Sequence, residues 1–391
     1  MTSARKITDN IYWVGAVDWH RQTFDELIPL SEGTSYNAYL VQGSERTALI
    51  DAVDPPFVPV LLDRLDQLGV KQLDYIVSNH SEQDHSGGIP MVLDRFPGAQ
   101  VLCTPKAKGI LRDLLPIAEP RIQTVEDGER VPLGGRSLMF FHMPWVHWPE
   151  TMVTYLEEDQ ILFSCDLFGS HLATSALFSS QAATILPAMK RYYAEIMMPF
   201  RIPISKYLDR LGPIALKLIA PSHGPIHDKP EQVLDIYRSW TAAEPGNSVV
   251  VAYVSMHGSV QQMAERLIEA LLARNVSVDP FNLAALDLGN FATALIDART
   301  LVFASPTVLG GAHPNAVYGA YLTNALRPRA RYGALLGSYS WGTKITAQLQ
   351  DLLSALKLEM LGTVLAKGAP RPAEFAAIDQ LADAIAARHN Q

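Results

Sequence analysis

The apolar run Tyr75-Ile76-Val77 ends abruptly in Ser78-Asn79-His80-Ser81-Glu82-Gln83-Asp84-His85-Ser86-Gly87-Gly88. Four side chains able to bind a metal, His80, Glu82, Asp84 and His85, stand within six consecutive positions. No other stretch restricts the fold as much. A buried strand that opens into a glycine-containing loop is rigid on one side and accessible on the other, which is where α/β sheets put their chemistry.

Three later residues match this cluster. His147 lies in Met143-Pro144-Trp145-Val146-His147-Trp148-Pro149, a proline-flanked loop after a strand. Asp166 follows Ile161-Leu162-Phe163-Ser164-Cys165, so it sits at the C-terminal end of a buried strand. His223 lies in the turn Ala220-Pro221-Ser222-His223-Gly224-Pro225. Short strands are expected at 8–16, 36–42, 46–51, 137–142, 152–157 and 161–165. Helices are expected over 57–69, around Lys106–Leu115, and over 181–198, 205–212 and 230–241. Their interleaving favours a mixed sheet with helices packed on its faces.

The stretch Ala242-Ala243-Glu244-Pro245-Gly246-Asn247-Ser248 reads as a linker, small, polar and broken by Pro and Gly. It divides the chain into expected domains 1–244 and 245–391. Beyond it, strands at Val249–Val254, Val276–Asp279, Leu301–Ser305 and Tyr332–Gly337 alternate with helices, the last over 373–388. That alternation argues for a parallel, doubly wound sheet. Three strand ends carry loop chemistry suited to a flavin phosphate and ring. They are Ser255-Met256-His257-Gly258-Ser259-Val260, Ser305-Pro306-Thr307 through Gly310, and Ser338-Tyr339-Ser340-Trp341-Gly342. At the first, a phosphate would meet backbone N–H groups at a helix start. At the third, Tyr339 or Trp341 would flank an isoalloxazine ring.

Composition narrows the function class. Of 391 residues 48% are hydrophobic and 18% charged, which supports large cores, and the net charge of −8 comes without the basic stripe that nucleic acid requires. No apolar run approaches membrane-spanning length, the first ten residues lack a signal-peptide core, and Cys103 and Cys165 are expected as buried free thiols. A cytoplasmic location, with neither membrane nor nucleic acid as partner, is the resulting expectation.

The ordered set resembles the metallo-β-lactamase superfamily, whose signature H-x-H-x-D-H is followed by a His, a bridging Asp and a final His. Glu82 stands where the zinc hydrolases of that superfamily usually carry His. A carboxylate in place of a nitrogen donor makes the site harder and better suited to oxidised iron. With the flavodoxin-like second half, the whole chain resembles a flavodiiron protein (A-type flavoprotein). Gly33-Thr34-Ser35-Tyr36-Asn37-Ala38-Tyr39-Leu40, His147-Trp148-Pro149 and Arg191-Tyr192-Tyr193-Ala194 add to the likeness.

The resemblance implies an N-terminal αββα sandwich holding two irons, followed by an FMN domain, in an oxidoreductase that reduces O2 to water, NO to N2O, or both. It implies that His80, Glu82 and His147 bind one iron, that Asp84, His85 and His223 bind the other, and that Asp166 bridges them. It also implies a head-to-tail homodimer, with Trp341 expected near the partner's metal pocket. Electrons are expected from a separate donor, rubredoxin-like or a flavin reductase, since neither module is appended. Three positions depart from the family. Asp25-Glu26 follow Phe24 where many members carry His-Gly, Val260 replaces a usual Thr, and Val254 replaces a common acid. The alternatives are a dinuclear zinc hydrolase with a flavodoxin-like domain, and a redox sensor that kept the fold without turnover.

Overall fold

In the computed structural model, which describes residues 3–390, the strand Tyr75–Val77 lies inside a seven-stranded sheet. Met1, Thr2 and Gln391, at the outer ends of the two expected domains and of the N-terminus read above, lie outside the described residues. Across the sheet the order is Arg5–Thr8, Ile11–Trp13, Tyr39–Gln42, Thr47–Ile50, Tyr75–Val77, Gln100–Cys103 and Ile122–Thr124. Pairing is antiparallel through Thr47–Ile50 and parallel beyond it. A second sheet of five strands is built from Arg130–Pro132, Ser137–His142, Met152–Leu156, Ile161–Cys165 and Leu218–Pro221.

Side chains alternate across a strand, so each strand of the first sheet serves two cores. Leu40, Leu49, Ile76 and Val101 pack against Leu61, Leu65, Val92 and Leu111 of the helices Val58–Gln67, Ile89–Arg95 and Pro105–Leu114. Their sequence neighbours Tyr39, Val41, Ile50, Val77 and Leu102 point the other way. There they meet Leu138, Phe140, Leu156, Ile161 and Phe163 of the second sheet. The expected αββα sandwich is this arrangement, one apolar layer shared by two sheets.

Several expected elements are interrupted. The run 36–42 breaks at Asn37, whose carboxamide donates to the carbonyls of Pro221 and Gly224 and accepts from the Trp13 indole. The run 8–16 resolves into the end of Arg5–Thr8, Ile11–Trp13 and the start of Ala16–Asp18. The helix expected over 181–198 is α-helical only at Ile185–Tyr192, followed by a π turn at Tyr193–Met197 and a 3-10 turn at Met198–Phe200. Its adjacent tyrosines serve different clusters. The Tyr192 hydroxyl donates to Asp166, and the Tyr193 hydroxyl to the Trp240 carbonyl.

Contacts divide the chain into two compact units. One runs to Tyr193 and resumes over Phe200–Thr241, and the other takes Ala194–Pro199 and the chain from Ala242 onward. The stretch read as a linker belongs with the second unit because the Arg329 guanidinium donates to the carbonyls of Ala242, Glu244 and Ile296.

The second unit holds a parallel sheet in the order Ser277–Asn282, Ser248–Tyr253, Ala298–Val308, Tyr332–Tyr339, Glu359–Lys367. Numbered along the chain this is 2-1-3-4-5, the flavodoxin-like order. Helices Ser259–Leu272 and Pro372–His389 cover one face, packing Met263, Leu267, Leu381 and Ile385 on Val251, Val302 and Leu336. The sequence reading did not anticipate Glu359–Lys367, an edge strand half exposed along its length and interrupted by Gly362, so its apolar signal is weak. Nor does the third strand end at Ser305, with Pro306 and Thr307 in a loop. The third strand continues through it to Val308 and turns back at Gly311–Ala312.

Candidate active site

The residues expected to bind metal gather where strands of both sheets of the first unit end. Tyr75–Val77 delivers His80, and Glu82 caps the short helix Gln83–Ser86 that carries Asp84 and His85. Cys165, with φ of 51°, ends its strand in a left-handed turn that presents Asp166. Leu218–Pro221 delivers His223, and Gly224 follows at φ 80°, where a Cβ would stand 2.0 Å from Ser170 Oγ. Glycine there lets the chain turn sharply away behind the ligand. Asp51 pins the start of the His80 loop by accepting from the backbone N–H and the side chain of Asn79 at 2.8 and 2.9 Å.

Asp166 divides the cluster in two. Its Oδ2 lies 3.5 Å from His80 Nε2 and 3.4 Å from His147 Nε2. Glu82 Oε2 joins that half at 3.1 and 3.2 Å from the same nitrogens. Its Oδ1 lies 3.1 Å from His85 Nε2 and 3.4 Å from His223 Nε2. Asp84 completes this second half, with Oδ1 at 3.3 Å from His85 Nε2 and Oδ2 at 3.2 Å from His223 Nε2. Each half offers two imidazoles, one carboxylate of its own and one oxygen of the shared Asp166. Among the described residues, both Asp84 oxygens, both His85 nitrogens and Asp166 Oδ2 are buried without a hydrogen-bond partner. Of these, His85 Nε2, both Asp84 oxygens and Asp166 Oδ2 meet within the cluster, which would be costly in a folded chain, and cations resolve the cost. The donor set fits two metal ions.

Residues that the motifs did not point to hold these ligands in place. His80 Nδ1–H donates to Glu150 Oε1 at 2.9 Å, and the Ser81 N–H donates to the same oxygen at 3.0 Å. His223 Nδ1–H donates to the Ser35 carbonyl at 2.7 Å. Such contacts fix which ring nitrogen faces the metal. The Tyr192 hydroxyl donates to Asp166 Oδ1 at 3.0 Å. Glu150 stands three residues from His147, and Tyr192 lies within a stretch already singled out. Neither offered a sequence signal for its partner.

Electrostatics tie the ligands together in the metal-free chain. Burial disfavours the His147 imidazolium, but the Asp166 and Glu82 carboxylates beside it outweigh it and raise its pKa to about 10. For His223 burial likewise opposes, and the nearby Asp166 and Asp84 carboxylates raise the value to about 9. Asp166 is held well below the usual carboxylate range, since the surrounding imidazoles overcome its burial. Both rings therefore carry protons at neutral pH, and an incoming metal must displace them. The stabilisation from these raised values is full below the ordinary histidine pKa near 6.5 and is lost as pH rises through 9 and 10. Metal loading at pH 7 should release protons into an indicator dye, and affinity should climb with pH until about 10. Loading at pH 7 without proton release would contradict this electrostatic picture.

The second unit carries a cleft of about 540 Å³, within the usual range for a small-ligand site. It is lined from three strand ends by Ser255, Met256, His257, Ser259 and Val260, by Pro306, Thr307 and Gly310, and by Ser338 through Gly342. Leu309, inside the expected second stretch, and Gly368, which was not anticipated, also line it. Two expected residues play structural parts instead. Ser305 is buried, donating to the Pro306 carbonyl and accepting from the His313 N–H. Gly258 caps the helix Ser259–Leu272 with φ of 85°, and its N–H donates to Ser255 Oγ. The helix start beside Ser255 and Ser259 suits one phosphate. Leu309 and Trp341 on the rim are almost fully exposed.

Comparison with known proteins agrees with both descriptions. Residues 34–224 match the family model described as ODP family beta lactamase. A nitric oxide reductase of Moorella thermoacetica is 38% identical, the match covering 92% of each chain. The structure of rubredoxin oxygen:oxidoreductase from Desulfovibrio gigas superposes with a TM-score of 0.94 at 29% identity, covering 99% of this chain and 98% of that one. The flavodiiron protein of Giardia intestinalis superposes with a TM-score of 0.90 at 25% identity and the same coverage.

Proposed function

The chain belongs to the flavodiiron, or A-type flavoprotein, family, and from that premise we propose that it reduces O2 to water, NO to N2O, or both, at a non-haem diiron centre fed through FMN. The observation that carries the reading is the split of Asp166, whose two oxygens face two separate His/carboxylate sets. We assign His80, Glu82 and His147 to one iron and Asp84, His85 and His223 to the other, with the FMN along the cleft of the second domain. We take the domains as 1–244 and 245–391. The carboxylate of Glu82 in the first set favours iron over the zinc of a hydrolase.

When bound, two ferrous irons and a reduced flavin supply the four electrons that turn O2 into two waters. The chain's own groups do the rest. Asp166 keeps the two halves a fixed carboxylate apart, the spacing a two-metal reaction needs. Glu150 and the Ser35 carbonyl orient His80 and His223. Trp148 and Phe200 pack on His80 and His147, while Phe24, Tyr36 and Tyr192 pack around His223. These rings exclude water, which strengthens every charge interaction inside. The Tyr192 hydroxyl holds Asp166 Oδ1 and draws charge from it.

Among the described residues no helix is long and apolar enough to cross a membrane. The buried free thiols Cys103 and Cys165 support a reducing cytoplasm, which cell fractionation would test. The working unit in this reading is a head-to-tail homodimer taking electrons from a separate protein, of rubredoxin or flavin-reductase type. The exposed Leu309 and Trp341 beside the flavin cleft support such a covered face.

Anaerobic stopped-flow decides the function. Reduced protein carrying two irons and one FMN per chain should reoxidise with O2, without releasing hydrogen peroxide, or with NO, releasing N2O. Native protein filled with zinc, free of iron and inert to both gases would overturn the reading.

A further inference from the structure

His171 was not among the expected site residues, yet its ring stands within the metal centre's own aromatic shell. Its centroid lies 4.6 Å from Phe24, 4.9 Å from Tyr192 and 5.0 Å from the ligand His223. The residue is only 8% exposed. Its Nδ1 lies 2.9 Å from Thr34 Oγ1, while its Nε2 is buried and, among the described residues, has no hydrogen-bond partner.

Which nitrogen carries the proton follows from what Thr34 can do with its own. The hydroxyl has three neighbours. The Ser35 carbonyl is distant at 3.5 Å, and it already accepts from His223 Nδ1–H at 2.7 Å. His223 Nδ1, 3.4 Å from Thr34, is therefore itself a donor. Only His171 Nδ1 remains as a close acceptor, so Thr34 donates to it and the imidazole proton resides on Nε2. A buried donor left without a partner is rare in a folded protein and calls for an explanation.

We propose that His171 Nε2–H is a hydrogen-bond donor to the small ligand held at the Asp84–His85–His223 half of the centre, with Thr34 fixing the tautomer that makes it one. Phe24 and Tyr192 hold the ring by contact on its flanks. The donor delivers a hydrogen bond and loses no proton, so it stabilises negative charge on a bound oxygen or nitrogen atom without itself changing charge. The inference rests on the diiron reading above.

Azide, a small anion, is the probe. Its affinity for the diferric protein is measured by optical titration in wild type and variants, each checked for two irons per chain. His171→Phe keeps a flat ring and removes the donor, and binding should weaken about ten- to hundredfold, as expected for a hydrogen bond to a charged group. His171→Gln supplies an amide donor and should recover most of that loss. Thr34→Val leaves the imidazole in place but frees its proton, and it should lie between Phe and wild type. It also decides the matter if the Phe variant fails to hold iron. Wild-type affinity in whichever of the Phe and Val variants retains both irons overturns the proposal. A wild-type protein that holds no iron, by contrast, overturns the diiron reading on which it rests.

Discussion

Asp166→Ala is expected to abolish gas reduction and to strip most of the iron, with metal affinity falling by more than about a hundredfold. Outer-sphere partners of a metal ligand are themselves worth roughly ten- to hundredfold, and Asp166 is more than that, a group shared by both halves. Its Oδ2 faces His80 and His147, and its Oδ1 faces His85 and His223. The change removes an oxygen from each half at once. It also leaves four clustered imidazoles with Glu82, Asp84 and, on the far side of His80, Glu150 for counter-charge. Iron content by elemental analysis, with O2 and NO consumption on the same samples, measures the effect. Two irons retained at wild-type affinity would rule out a bridging role. FMN content should be unchanged, because the flavin cleft is built wholly from the second unit.

Ser259→Glu is expected to act in the complementary way, leaving iron in place and weakening FMN by at least about a hundredfold. Ser259 opens the helix Ser259–Leu272 and lines the cleft. A carboxylate there would compete with a phosphate for the same backbone N–H groups and repel it. Flavin retained at wild-type affinity would show the phosphate lies elsewhere. Each variant alone should be inactive, and their mixture tests the head-to-tail dimer. If the FMN of one chain feeds the irons of the other, a hybrid of the two holds one intact pairing, since a two-fold arrangement makes both contacts from one self-complementary surface. Mixing under subunit exchange should then restore part of the activity. No recovery, with hybrids confirmed by mass, would mean the electron path lies within one chain.

The candidate metal ligands were legible in the sequence because metal chemistry restricts residue type so sharply. Imidazole and carboxylate at fixed offsets after an apolar strand have few other uses, and Glu82 alone distinguishes a harder site from the usual zinc set. The alternation of strand and helix after residue 248 was legible for a similar reason, since buried parallel strands are written as continuous apolar runs. Where the signal is weaker the reading failed. Glu359–Lys367 is a half-exposed edge strand, and Ser305 reads as a cofactor-binding strand end although the strand runs on past it and its hydroxyl is already engaged.

The sequence by itself determined which side chains could bind metal and which strand ends could line a small-ligand cleft, because both follow from residue type and short spacing. Tertiary structure alone decided what surrounds them. Glu150 reaches His80 across 70 positions, Ser35 reaches His223 across 188, and Thr34 reaches His171 across 137. Nothing in local pattern links such pairs, because a hydrogen bond of about 3 Å depends on how two sheets pack rather than on the spacing of residues along either. The split of Asp166 is of the same kind. One carboxylate at a strand end is written in the sequence, and the two sets of partners for its oxygens exist only once both sheets bring their ends together.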